Sequence, residues 1–200
     1  MNPQKKERLL NDPRIADRVS FVHSMLYSIA GEDAERDGLK ETPVRVAAMY
    51  EELFSGYAKD PKQILEDAMF VDAGKKNLVL VKDINFSSMC EHHIMPFFGT
   101  VSIAYIPQDG RIVGLSKLAR LVEVFAKRLQ VQERLGQQIL DTIKEVMNPF
   151  GVAVIIKAEH TCMTARGVQK PGTVTVTSAL DGVFYLDEKA REELMSLMQI

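Results

Sequence analysis

Both cysteines of this 200-residue chain and three of its four histidines fall in two short segments, Cys90-Glu91-His92-His93 and His160-Thr161-Cys162. A fold that uses them together must return a distant stretch of chain to one corner. Cys90 and His93 stand three apart, a spacing that lets a thiolate and an imidazole meet on one ion from a turn, and Cys162 closes the set from a strand end. Zinc prefers this mixture of ligands, and three protein donors leave its fourth tetrahedral position to water, as in catalytic sites. The same residues also read as buried core thiols beside satisfied histidines. A disulfide between the two cysteines is a further reading, disfavoured in a reducing compartment. His23, outside both segments, reads as an ordinary, partly exposed helical histidine.

The pattern around these segments alternates between two periodicities. Asp12-Pro13 reads as a cap and a first-turn proline, after which Ile15, Val19, Val22, Leu26 and Ile29 recur at helical spacing until Gly31. Thr42-Pro43 repeats the signal, with Ala47, Tyr50, Leu53 and Phe54 on one face, and Pro61 opens a short third helix through Ala68. Beyond Gly74 the character changes. Strands are expected over 78–86 and 99–106, helices over 115–128 and 132–147, and strands again over 152–157 and 173–180. A last helix from Asp187 carries Leu194, Leu197 and Met198 as an apolar stripe suited to packing on a neighbour.

This order predicts an α+β domain at 74–200, an antiparallel four-stranded sheet with a helix pair on one face, preceded by a helical arm at 1–73. Open sheet edges favour oligomerisation. Acidic and basic residues number 27 and 25, so no global field draws the protein to nucleic acid or to a membrane surface. Residues 1–13 lack the apolar run of a signal peptide, and no stretch is long and apolar enough to span a bilayer. A soluble, cytoplasmic protein is the expectation.

A polyanion must then be held locally, and the chain has no P-loop: residues 110–117 have the wrong spacing for one. Ser116 and Lys117 fall at the start of a predicted helix, where free amides and the positive dipole end favour anions, and Arg120 follows a turn later. Arg166 can add a second charge. Taken alone, the Ser-Lys-x-x-Arg pattern reads more readily as a solvated helix face. Gln132 and Glu133 offer an amide and a carboxylate suited to a guanine edge, whose N1–H and 2-amino group need acceptors, and read equally as first-turn polarity.

As a group these residues resemble the GTP cyclohydrolase I family. The resemblance runs through Gly38-Leu39-Lys40-Glu41-Thr42-Pro43-Val44-Arg45, Ser88-Met89-Cys90-Glu91-His92-His93 with Pro96-Phe97-Phe98-Gly99, and Gly114-Leu115-Ser116-Lys117-Leu118-Ala119-Arg120. It continues in Gln130-Val131-Gln132-Glu133-Arg134-Leu135 and His160-Thr161-Cys162-Met163 to Arg166-Gly167-Val168. Ser87 and Ala165 depart from it, standing where a bulkier residue is more usual.

The resemblance implies a tunnelling fold assembled as a toroidal homodecamer of two stacked pentamers, with active sites between subunits. It implies GTP as substrate, zinc on Cys90, His93 and Cys162, triphosphate contacts from Ser116, Lys117, Arg120 and Arg166, and guanine recognition by Gln132 and Glu133. The catalytic set would comprise His92, His160, Glu91 and Gln132, with His160 protonating N7 and His92 shuttling protons in the ribose steps. The products would be formate and 7,8-dihydroneopterin triphosphate, the first step toward tetrahydrofolate or another pterin. A zinc nucleobase deaminase would need H-x-E and P-C-x-x-C segments that are missing from this chain. The better enzymatic alternative is a different member of the tunnelling-fold group acting on a pterin or related purine product, and the non-enzymatic one is a binding or regulatory oligomer that keeps a structural metal.

Overall fold

Each of the first three helices opens on or beside a proline, whose fixed φ and missing N–H suit the first helical turn. The computed structural model describes residues 11–72 and 77–199, which fall into two compact units divided between Phe54 and Ser55. The boundary expected between 73 and 74 and the first ten of the residues 1–13 read for a leader lie outside the described residues.

In the first unit, α1 (Pro13–Tyr27) is capped by Asp12, whose side chain accepts from the Arg14 amide. It buries Ile15, Val22 and Leu26 and packs with α2 (Thr42–Leu53), which buries Pro43, Val44 and Ala47. Arg18 and Glu51 form an ion pair between the two helices. Helix α1 ends before Ile29, which is exposed.

In the second unit, a 3-10 turn (Ser55–Ala58) and α3 (Pro61–Glu66) precede the sheet strands. These are β1 (Met69–Val71), β2 (Val79–Cys90), β3 (Met95–Ile106), β4 (Arg111–Val113), β5 (Leu129–Gln130), β6 (Gly151–His160) and β7 (Val174–Gly182). The main sheet has the order β5-β2-β3-β6-β7, and β1 with β4 forms a separate antiparallel ribbon. The four long strands are antiparallel neighbours as anticipated. The sheet is nonetheless five-stranded: two-residue β5 pairs in parallel with Met89 and Cys90, too short to leave a periodic signal.

Helices α4 (Leu115–Ala126) and α5 (Gln132–Met147) cover one face of this sheet. Leu118, Leu121, Val122 and Phe125 from α4, with Leu135, Ile139, Leu140 and Ile143 from α5, meet Phe97, Val101, Ile103, Val152, Val154 and Ile156. Side chains alternate across a strand, so Ala104 and Ala153 point to the other face. There they meet Phe184 of α7 (Val183–Leu186) and Leu194 of α8 (Glu188–Gln199). This corrects the expectation that the C-terminal stripe docks on a neighbour: Leu194 and Met198 pack on the chain's own sheet. Among the described residues, no helix is long and apolar enough to cross a membrane.

Candidate metal and substrate site

The turn from β2 to β3 brings the first ligands together. Cys90 pairs with Met95 at the base of the hairpin, and the Ile94 amide donates to the Cys90 carbonyl at 2.8 Å, closing a single α-turn that carries Glu91, His92 and His93. Ile94 adopts φ +51°, a strained conformation for a β-branched residue. The Glu91 amide donates to the carbonyl of Gln130, so β5 braces the same turn.

The second segment arrives through the β3–β6 register. Phe97 lies opposite His160, and the Thr161 hydroxyl then donates to the Pro96 carbonyl at 2.6 Å. Cys162 follows on α6 (Thr161–Thr164), at the same corner. One donor atom each of Cys90, His93 and Cys162 lies within 4.8 Å of the others. The cysteines are unbonded to each other. Burial pushes the Cys162 thiol up, and Cys90 beside it pushes the same way, while Arg166 opposes them. Two thiols and an imidazole at this spacing fit a tetrahedral divalent ion, whose charge favours the thiolate forms.

The neighbouring polar groups are ordered around this corner. His92 is exposed, with Nδ1 3.9 Å from the Cys90 sulfur. Arg166 brings Nη1 to 2.8 Å from His93 Nε2. Glu91, expected among the catalytic residues, has both carboxylate oxygens engaged by Arg134, whose guanidinium holds that carboxyl below its ordinary range.

His160 lies flat against Phe97, with ring centroids 4.6 Å apart and 3° between planes. Its Nε2 is 2.9 Å from Gln132 Oε1. Burial lowers the His160 pKa, partly offset by Glu133. Gln132, expected at the guanine edge, is only 1% exposed, and its amide nitrogen donates to Ile156 O, Thr175 O and Thr177 Oγ1. That amide is committed to the protein. Glu133 is exposed and lines a cavity of about 290 Å³ with Gly136, Gln137, Thr177, Ser178 and Ala179.

The anion set sits on a different element. Ser116 and Arg120 are exposed and Lys117 is half-buried at the opening of α4. Its N-cap, Gly114, offers no side-chain acceptor, so the first amides of α4 receive no side-chain cap. Sequence reasoning assigned no role to Phe97 or Arg134. Both depend on long-range register: Phe97 acts through its position across from His160, and Arg134 through the approach of α5 to the β2–β3 turn.

The chain matches the family model described as GTP cyclohydrolase I over residues 19–199. It is 57% identical over 177 residues to GTP cyclohydrolase 1 of Thermoanaerobacter pseudethanolicus, covering 88% of this chain and 93% of that one. To the GTP cyclohydrolase 1 of Clostridioides difficile it is 55% identical over 184 residues, 91% of this chain and 96% of the other. With that of Listeria welshimeri it shares 50% identity over 190 residues, 95% and 97% of the two chains.

Proposed function

Because this chain belongs to the GTP cyclohydrolase I family, we propose that it is an enzyme of that type, hydrolysing GTP at C8 to release formate and form 7,8-dihydroneopterin triphosphate. The observation that carries the reading is the convergence of Cys90, His93 and Cys162 at one corner of the sheet, in a chain matched to this family over most of its length.

In this reading the two sulfurs and one imidazole nitrogen hold zinc. When bound, the metal supplies Lewis acidity and makes water a nucleophile near neutral pH. The Glu133 carboxylate accepts from guanine N1–H and the 2-amino group at the mouth of its cavity. Ser116, Lys117, Arg120 and Arg166 hold the triphosphate, a contact remote from C8 whose binding energy orients the purine. His160 gives a proton to N7, and His92 moves protons in the ribose-opening and ring-closing steps. Glu91 keeps the ligand turn in place through Arg134.

We further propose a cytoplasmic, toroidal decamer of the tunnelling-fold type with active sites between subunits. Among the described residues, β7 ends the sheet on one side and most of β2 lacks a partner on the other, so both edges are open to a second copy. The product would enter folate or pterin synthesis.

The test is incubation of the zinc-loaded protein with GTP, following formate by a coupled assay and the pterin by fluorescence after oxidation, with Cys162→Ser as control. Equal formate and pterin, lost in the control, support the reading. Neither product from a verified zinc-containing protein would sink it.

A further inference from the structure

Gln132 is the first residue of α5, and its side chain enters the seam between β6 and β7. Amide oxygen and nitrogen must be told apart by their surroundings. Here the surroundings decide, because Ile156 O and Thr175 O are backbone carbonyls that can only accept, at 3.2 and 3.1 Å. The reverse orientation would set the amide oxygen against both carbonyls at a site 1% exposed. The NH2 group therefore faces the strands, and Oε1 faces His160.

That orientation fixes the imidazole in turn. A carbonyl oxygen 2.9 Å from His160 Nε2 requires a proton on that nitrogen. Phe97, fully buried, holds the face of the same ring in parallel contact. One neighbour sets the ring plane and the other sets which nitrogen carries hydrogen.

We propose that Gln132 is a positioning residue for His160, holding the imidazole through Nε2 and leaving Nδ1 as the nitrogen that takes up a proton from solvent and passes it to substrate. The amide hydrogens of Gln132 are then committed to the strands, and Glu133 is the member of the pair that accepts from the purine edge. The catalytic meaning rests on the reading of His160 as proton donor given above. The tautomer does not.

The experiment uses the full-length, zinc-loaded protein labelled with 15N-histidine, in the parent and in Gln132→Met and Gln132→Glu. The chain has four histidines, and the His160 signals are assigned by their loss in His160→Asn. In the parent, His160 is expected to show a protonated Nε2 and a bare Nδ1. Methionine fills the same space without an acceptor, so the two tautomers should mix. Protonated glutamate can donate to Ile156 O and still accept from Nε2, so the parent pattern should return.

Turnover of GTP supplies the second readout. Gln132→Met should lower kcat by roughly 10–100-fold, up to the lower end of what a well-placed proton donor contributes, with KM changed by less than about threefold. Gln132→Glu should recover most of that loss. A protonated Nδ1 in the parent, or an unchanged pattern in Gln132→Met, overturns the proposal. So does a raised KM at unchanged kcat, which would return Gln132 to the purine edge, or an equal kcat loss in both variants, which would make it a packing residue. Should Gln132→Met fail to fold, the parent spectrum and Gln132→Glu still decide. A parent that makes no formate but shows the bare Nδ1 would refute the proposed function and leave the tautomer standing.

Discussion

Glu91 and Arg134 are joined through both carboxylate oxygens, so the turn that carries His92 and His93 is tied to the first turn of α5. The pair is exposed to solvent, and pairs of that kind add little to global stability. Its effect should be local. Arg134→Ala is expected to leave the melting midpoint nearly unchanged while zinc passes to a competing chelator several-fold faster. An unchanged transfer rate would show that the turn holds its shape without the pair.

Replacing a candidate ligand should act more severely than replacing a brace. Cys90→Ser and His93→Ala are each expected to lower the zinc content measured by elemental analysis. Zinc affinity should fall by more than the ~10–100-fold typical of outer partners. Retention of one zinc per chain in both variants would remove these residues from the metal centre.

Among the described residues, Glu133 is the one carboxylate lining the cavity beside β7. Glu133→Gln keeps its shape but replaces an acceptor oxygen with a donor, setting donor against donor at the guanine edge. KM for GTP should rise by roughly 10–100-fold, the loss expected for hydrogen bonds to a charged group. The kcat should fall far less. A KM equal to that of the parent would place guanine recognition elsewhere.

Gly99 lies opposite Ala158 in the pairing of β3 with β6. A Cβ added there would lie 1.9 Å from the Lys157 carbonyl oxygen and 2.7 Å from the Ala158 Cα, both backbone atoms that cannot turn away. Gly99→Ala should therefore destabilise the protein by at least the ~1–3 kcal/mol of ordinary overpacking. The urea midpoint is the measure, and a midpoint equal to that of the parent would contradict the packing described.

The local features of this fold were legible in the sequence, and the long-range ones were not. Helix α5 spans 132–147 as its apolar period predicts, because a continuous stripe of Leu135, Ile139 and Ile143 leaves little ambiguity. Strand β2 runs on to Cys90, beyond the strand expected over 78–86, since Ser87 and Ser88 carry no strand signal and the pairing comes from β3 and β5. The convergence of Cys90, His93 and Cys162 could be anticipated from residue types and spacing. The engagement of Gln132 could not, because it depends on which carbonyls β6 and β7 present to the start of α5.

Strands β3 and β6 are paired at ten successive positions, from Ile106 opposite Gly151 to Phe97 opposite His160. A single residue inserted within either strand would turn every later side chain to the opposite face, moving His160 off Phe97 and carrying Cys162 away from Cys90. The ladder thus works as a ruler read at its far end. Length can be added to the chain between β3 and β4, around Asp109 and Gly110, without disturbing that measurement. Homologues and engineered variants should vary in length there, and hold the two strands to a constant count.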